Sequence, residues 1–251
     1  MGGFDRAIGI GRSLVIYHAI PLRQRKLRRL YRSFLKPGDL VFDIGAHAGN
    51  RARALLSLGC RVIAVEPQPA FARVLHALFK RSPRVTIVEA AVAAHPGRQT
   101  LWMSERNPTL ATTTESWREA RSHEAGFAGV QWDSQIDVEA TTVDTLIERF
   151  GLPAFVKIDV EGSEPAVLAG LSQAVAVISF EYLPGAIEEV AASVDRLRSI
   201  GPYEFNWSPG ESFRLGNENW GTGAELMDAL RGPEASRTSG DVYARLRGPG
   251  T

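Results

Sequence analysis

From residue 39 onward, short continuous apolar runs alternate with stretches whose apolar residues recur every three or four positions. The runs at 40–44, 61–65, 85–88, 155–158 and 175–180 have strand length, and the periodic stretches at 51–58, 71–80, 143–150, 165–169 and 187–200 suit helices packed by one face. Runs at 203–207 and 241–246 predict two further strands. Strands alternating with helices imply a mostly parallel sheet covered on both faces, an α/β fold. Ahead of it, residues 6–35 predict a helical extension. There Leu27, Leu30, Tyr31, Phe34 and Leu35 recur at helical spacing among many arginines, and Pro37 and Gly38 stop the helix. Two regions break the rhythm. Residues 104–136, an insert after the third strand, are long and polar, and residues 208–239 are loop-rich. Loops of that length commonly act as a lid or a small inserted element.

Composition narrows the setting. The 251 residues fit one α/β domain with extensions, divided here into a helical extension at 1–37 and a main domain at 38–251. A net charge of +1 gives no global pull toward nucleic acid. Cys60 is the sole cysteine, which excludes an internal disulfide and a cysteine-built zinc site and fits the reducing cytoplasm. The apolar segment at 13–20 contains His18, is too short to span a bilayer, and is followed by arginines instead of a cleavage site. A soluble, cytoplasmic protein is expected.

The first chemical motif is residues 40–50, LVFDIGAHAGN. An apolar strand ends near Asp43, and Gly45 and Gly49 bracket a turn into a helix. A dinucleotide fingerprint would begin Gly-x-Gly. Here Asp43 stands in the first glycine's place, where a carboxylate would repel a pyrophosphate but attract a cationic amino group. S-adenosylmethionine, with an amino-acid end, a sulfonium and no phosphate, fits this spacing better than NAD. An ordinary βα turn is the plain alternative. About twenty residues on, VIAVEP ends a second strand at Glu66, where an acidic residue is placed to bind ribose hydroxyls. Glu89, after the third strand, could accept from an adenine amino group, or cap the strand.

The second motif, VKIDVEGSEPAVLAG at 156–170, runs strand, turn, helix. Glu164 and Pro165 suit a first helical turn. Alternation puts Lys157 and Asp159 on one face of a central strand, and charges there require pairing or function. Lysine is scarce in this chain (Lys26, Lys36, Lys80 and Lys157 alone) and, unlike arginine, can lose its proton when desolvated.

The pieces VFDIGAHAGN, VIAVEPQP, EAAV, TTVDTLIERFG, VKIDVEGSEPAVLAGL and ISFEY resemble the FkbM family of methyltransferases over residues 38–183. The resemblance implies a class I Rossmann-like fold with a seven-stranded sheet, S-adenosylmethionine as donor, and methylation of an oxygen on a sugar, glycolipid or natural product. It implies that Asp43, Gly45 and Gly49 hold the amino-acid end, Glu66 the ribose, and Glu89 and Ala90 the adenine. Asn50 and Pro67 join that cofactor-binding set. Lys157, Asp159 and Glu161 would face the transferring methyl.

A hydroxyl is a poor nucleophile and benefits from a base. The candidates are Asp159 and Glu161, with Lys157 orienting them or serving as the base itself if its pKa is depressed. A second option is Mg²⁺ held by Asp159, Glu161 and Glu181, although no distinctive ligand motif is present and no metal-ligand set is assigned. His47, inside the glycine turn, and His123, in the insert, are weaker base candidates. Trp102, Trp117 and Trp132 suit lid packing or sugar stacking. The basic stretch 23–32 suits contact with an anionic membrane surface, or is simply a solvated helix face. Rival readings are an NAD-dependent oxidoreductase, disfavoured by Asp43, and a methyltransferase acting on RNA, disfavoured by near-neutral charge. The expected partner is a small-molecule or glycan acceptor, with no nucleic acid.

Overall fold

The computed structural model describes residues 21–107, 109–122, 127, 129–233 and 235–248. The part of the expected N-terminal helix before residue 21, and His123, lie outside them. Helix α1 (Pro21–Tyr31) leads into β1 (Leu40–Ile44), α2 (Asn50–Ser57), β2 (Arg61–Val65), α3 (Pro69–Phe79) and β3 (Val85–Val88). An excursion follows through β4 (Ala91–Val92), β5 (Gly97–Met103), α4 (Glu115–Ser122) and β6 (Ser134–Thr141). The chain returns through α5 (Val143–Phe150), β7 (Phe155–Ile158), α6 (Glu164–Ala169), β8 (Val177–Tyr182), α7 (Ile187–Ile200), β9 (Tyr203–Pro209), α8 (Gly223–Arg231) and β10 (Gly240–Leu246).

Seven strands form one sheet in the order β3-β2-β1-β7-β8-β10-β9. Only β10 runs against the others, antiparallel to both β8 and β9. The central strands β1 and β7 are buried along their whole length, because helices cover both faces and neither face can be polar. Alternation sends Phe42 and Ile44 into the core on one side, with Val156, Ile158 and Phe180, and Val41 into the other, with Val62, Ala64 and Phe155. Leu27, Leu30 and Tyr31 of α1 are buried in that second core, so α1 packs on the sheet.

Both regions expected to be irregular contain regular elements. Residues 104–136 hold α4 and the start of β6, and β6 pairs with β4 and β5 in a separate three-stranded sheet. Residues 208–239 hold α8, opened by a capping box in which Thr222 and Glu225 bond each other's backbone. Among the described residues, no helix is long and apolar enough to cross a membrane.

Candidate functional site

Open parallel sheets bind ligands at the carboxyl ends of their strands, and register gathers this chain's charges there. Asp43 on β1 lies opposite Lys157 on β7, and Asp241 on β10 lies opposite Glu181 on β8. Two clefts open at that edge. The larger, about 260 Å³, is lined by Asp43, Asn50, Arg51, Asp159, Glu161, Glu181 and Asp241. The narrower one is lined by Glu66, Pro67, Ala90, Ala91, Leu101 and Ala111. Gly45, His47 and Asp159 border both.

The narrow cleft is built by backbone. Gly45 is left-handed, with φ 79°, and a Cβ there would sit 1.8 Å from the Asp159 carbonyl oxygen, so the β1 turn passes against β7 only because residue 45 has no side chain. Beyond the turn, the amides of His47 and Gln68 donate to the two Glu66 oxygens, each at 2.8 Å. Burial raises the Glu66 pKa, opposed by His47 and by these amides. Each oxygen retains a free lone pair for a hydroxyl donor. The excursion after β3 adds Leu101 of β5 with Ala111 and Thr113 of the insert to the lining.

Two expectations change here. Gly49, with φ 76°, lines neither cleft; a Cβ on it would meet Leu75 and Phe79 at 2.9 Å. It is glycine because α2 starts against α3, not because a ligand needs the space. Glu89 is also outside the lining. It is more than half exposed and hydrogen-bonds His76 at 2.9 Å, a contact that the spacing of Glu89 from the glycine turn does not reveal. Its neighbour Ala90 does line the cleft.

The larger cleft is built by charge. Lys157 is fully buried, donating to Asp241 at 2.9 Å and to the Ile158 carbonyl at 2.9 Å, with Asp159 at 3.7 Å. Burial alone would lower the Lys157 pKa, but Asp159 and Asp241 outweigh it and raise the pKa. That direction favours the charged ammonium and runs against the depressed pKa that a lysine base would need. Burial would raise Asp159, but Lys157, Arg51 and His47 hold its pKa below the usual carboxylate value. Arg51 lies 3.5 Å from Asp159 and 3.7 Å from Asp241. Beneath them the buried Tyr31 of α1 has its pKa pushed up to about 12, by burial first.

Glu161 and Glu181 behave in the opposite way. Burial raises both well above the ordinary range, and their carboxylate neighbours raise them further: Asp159 and Glu164 act on Glu161, and Glu161 and Asp159 on Glu181. Oxygens of Asp159, Glu161 and Glu181 lie within 4.8 Å of one another, close enough to ligate one cation. Glu161 has φ 53°, a conformation strained for a non-glycine residue. Trp117 of α4 covers this turn so closely that a Cβ on Gly162 would lie 2.0 Å from its ring. Trp117 is thus buried packing, not an open stacking face.

Asp43 sits between the two environments. It is fully buried, neither carboxylate oxygen has a hydrogen bond of normal geometry, and burial pushes its pKa up to about 6 against the opposing effects of Arg51 and the Ala52 amide. A cationic amino group entering the cleft would satisfy it. Asn50 lines the same cleft and accepts from Gln24 of α1. Sequence patterns missed Arg51 and Asp241. Arginine is too common in this chain to stand out, and Asp241 arrives only through the antiparallel register of the last strand.

The methyltransferase FkbM domain model matches residues 43–202. Ribosomal RNA small subunit methyltransferase A of Phenylobacterium zucineum is 39% identical over 64 residues, 26% of this chain and 22% of that protein. The chain thus matches about a fifth of that relative's length. Among solved structures, precorrin-6y C5,15-methyltransferase from Geobacter metallireducens is 13% identical, with 90% of this chain and 85% of that chain covered at a TM-score of 0.45. An O-methyltransferase from Bacillus cereus in complex with SAH is 11% identical, with 98% and 90% covered at a TM-score of 0.47.

Proposed function

This chain belongs to the FkbM methyltransferase family and is an S-adenosylmethionine-dependent methyltransferase; from that premise we propose that it methylates a hydroxyl oxygen of a small-molecule or glycan acceptor. The observation that carries the reading is the pair of adjoining clefts, one with a fixed carboxylate at Glu66 and the other crowded with acids around Glu161. Glu66 suits the ribose hydroxyls, and the short apolar side chains of Ala90 and Ala91 suit the flat face of a base. Asp43 and Asn50 would hold the amino-acid end, where the unsatisfied Asp43 oxygens favour an ammonium group. When bound, S-adenosylmethionine supplies an electrophilic methyl on a cationic sulfonium.

The chain's own residues supply the proton acceptor. A carboxylate with an elevated pKa is the stronger base, and Glu161 has one while Asp159 does not. Glu161 takes the acceptor's hydroxyl proton, and burial in one cleft keeps the proton affinity of both Glu161 and the nearby Glu181 high. Asp159, fixed by Lys157 and Arg51, keeps negative charge facing the shared wall of both clefts. A pocket lined by Asp43, Asp159, Glu161, Glu181, Glu211 and Asp241 admits neutral hydroxyls readily and repels a nucleic-acid backbone there. The test is to supply S-adenosylmethionine with a panel of glycosides and with an RNA oligomer, and to locate the methyl by NMR. An O-methyl glycoside is expected. Faster transfer to the RNA, or methylation at nitrogen or carbon, would overturn the reading.

A further inference from the structure

Outside the catalytic clefts, the most distinctive charge pattern is on α1 and the turn after it. Residues 21–36 carry Arg23, Arg25, Lys26, Arg28, Arg29, Arg32 and Lys36 with no Asp or Glu. Arg23 pairs with Glu211, which fastens α1 to the loop after β9. Beside that tie lies a groove of about 430 Å³ lined by Lys26, Arg29, Ser33 and Arg214 over Leu30, Phe213 and Leu215. Arg214 comes from a different part of the chain, yet converges on the same rim. Among the described residues, no ion pair involves Lys26, Arg29 or Arg214, and no carboxylate lines the groove. Phe213 is held at φ 52°, strained for a side chain of its size, and borders both this groove and the larger catalytic cleft.

We propose that this groove binds a phosphate group carried on an apolar tail, and that the methyl acceptor is such an amphiphilic phosphate. The proposal rests on the hydroxyl-acceptor reading above. Three cations that pair with no carboxylate among the described residues surround an apolar floor and form a mixed site: the rim suits an anion and the floor suits hydrocarbon. The two sites complement each other. The catalytic cleft, where acids outnumber Arg51, suits a hydroxyl better than a phosphate, whereas the groove across Phe213, with three cations and no acid, suits the phosphate. One ligand reaching over Phe213 satisfies both, with its hydroxyl at Glu161 and its phosphate at Arg29 and Arg214. An ordinary solvated helix face accounts for the cations of α1, but not for Arg214 joining them over Phe213 and Leu215.

Calorimetry on the full chain provides the test, with n-octyl phosphate as probe and octyl glucoside as its neutral counterpart. Octyl phosphate is expected to bind wild type, and the Arg29→Gln/Arg214→Gln double variant to bind it at least tenfold more weakly, while S-adenosylmethionine affinity is unchanged in both. Equal binding of octyl phosphate and octyl glucoside, or equal binding by wild type and variant, would overturn the proposal. So would binding to phosphatidylcholine vesicles containing phosphatidylglycerol without binding of monomeric octyl phosphate, since that is the behaviour of a membrane-reading surface. Failure of S-adenosylmethionine to bind wild type would instead count against the catalytic reading, so the two failures are separable.

Discussion

Glu66 and Glu161 are both glutamates placed just beyond a central parallel strand, yet the fold treats them differently. Glu66 receives two backbone amides at 2.8 Å. Glu161 sits on a left-handed turn, among acids that push its proton affinity up. The first carboxylate is held in place before any ligand arrives, as an acceptor for binding should be. The second is kept in an environment that disfavours its charge, as a proton acceptor should be. The difference comes from the local backbone. The turn after β1 points the His47 amide at Glu66 and the turn after β2 adds that of Gln68, while the turn after β7 spends its donor on Glu164, which accepts from Val160 at 3.1 Å.

The sharpest way to break this contrast is Glu161→Gln. Loss of a general base costs about 10²- to 10⁴-fold in turnover, and we expect that loss with S-adenosylmethionine affinity unchanged. The wild-type rate should also rise with pH through the elevated Glu161 pKa, because only the deprotonated form accepts a proton; the variant should lose that limb. A pH profile that keeps it would assign the base elsewhere.

The complementary change, Glu66→Ala, should act on binding alone. It strips the partner from the amides of His47 and Gln68 and removes the proposed ribose contact. Charged hydrogen bonds of this kind contribute about 1.5–3 kcal/mol, so S-adenosylmethionine affinity should fall roughly 10- to 100-fold, with turnover at saturating cofactor little changed. Equal affinity in calorimetry would remove Glu66 from the cofactor site.

The two glutamates also differ in how legible they were. Both strands leading to them read directly from continuous apolar runs, since a strand buried on both faces carries no alternation to obscure. Glu181 of β8 can be grouped with Glu161 from the sequence alone, but the rest of that environment does not read, because it comes from distant segments: Asp241 from β10 and Trp117 from α4. Helix α4, ESWREARS, buries only Trp117 and Arg121, too little for an apolar stripe. Helix α8 did carry a signal, Thr222 followed by Glu225 three positions later, obscured by the glycines and asparagines before it. For Lys157, its strand position shows that it is buried, but the direction of its pKa shift depends on Asp159 and Asp241 together, and Asp241 arrives from a distant strand.

A smaller effect concerns stability. Glu164 has its pKa raised from 4.5 to about 7, by burial above all. A raised folded-state pKa means that the stabilisation is complete below pH 4.5 and is lost as pH rises through 7. Glu161, Glu181 and Asp43 shift in the same direction. The lowered pKa of Asp159 acts oppositely, but only below its ordinary value near 3.8. The ligand-free protein should therefore melt lower at pH 8 than at pH 5, and Glu164→Gln should flatten that slope, by roughly 5–10 °C for a domain of this size. An unchanged slope would mean that Glu164 is not protonated in the folded state.

The smallest expected effect is that of EDTA, which should leave activity unchanged. The oxygens of Asp159, Glu161 and Glu181 are close enough to hold a divalent ion, and a bound Mg²⁺ would lower the Glu161 and Glu181 pKa values, replacing proton acceptance by Glu161 with Lewis-acid activation of the hydroxyl. Two features favour the proton. Lys157 and Arg51 already place positive charge on Asp159, which weakens it as a metal ligand. The three acids also come from two different strand ends, with Glu161 on a strained turn, whereas Mg²⁺ demands near-ideal octahedral geometry. Activity lost in EDTA and restored by Mg²⁺ would reverse the assignment, and the rising pH limb should then move to lower pH as metal is added.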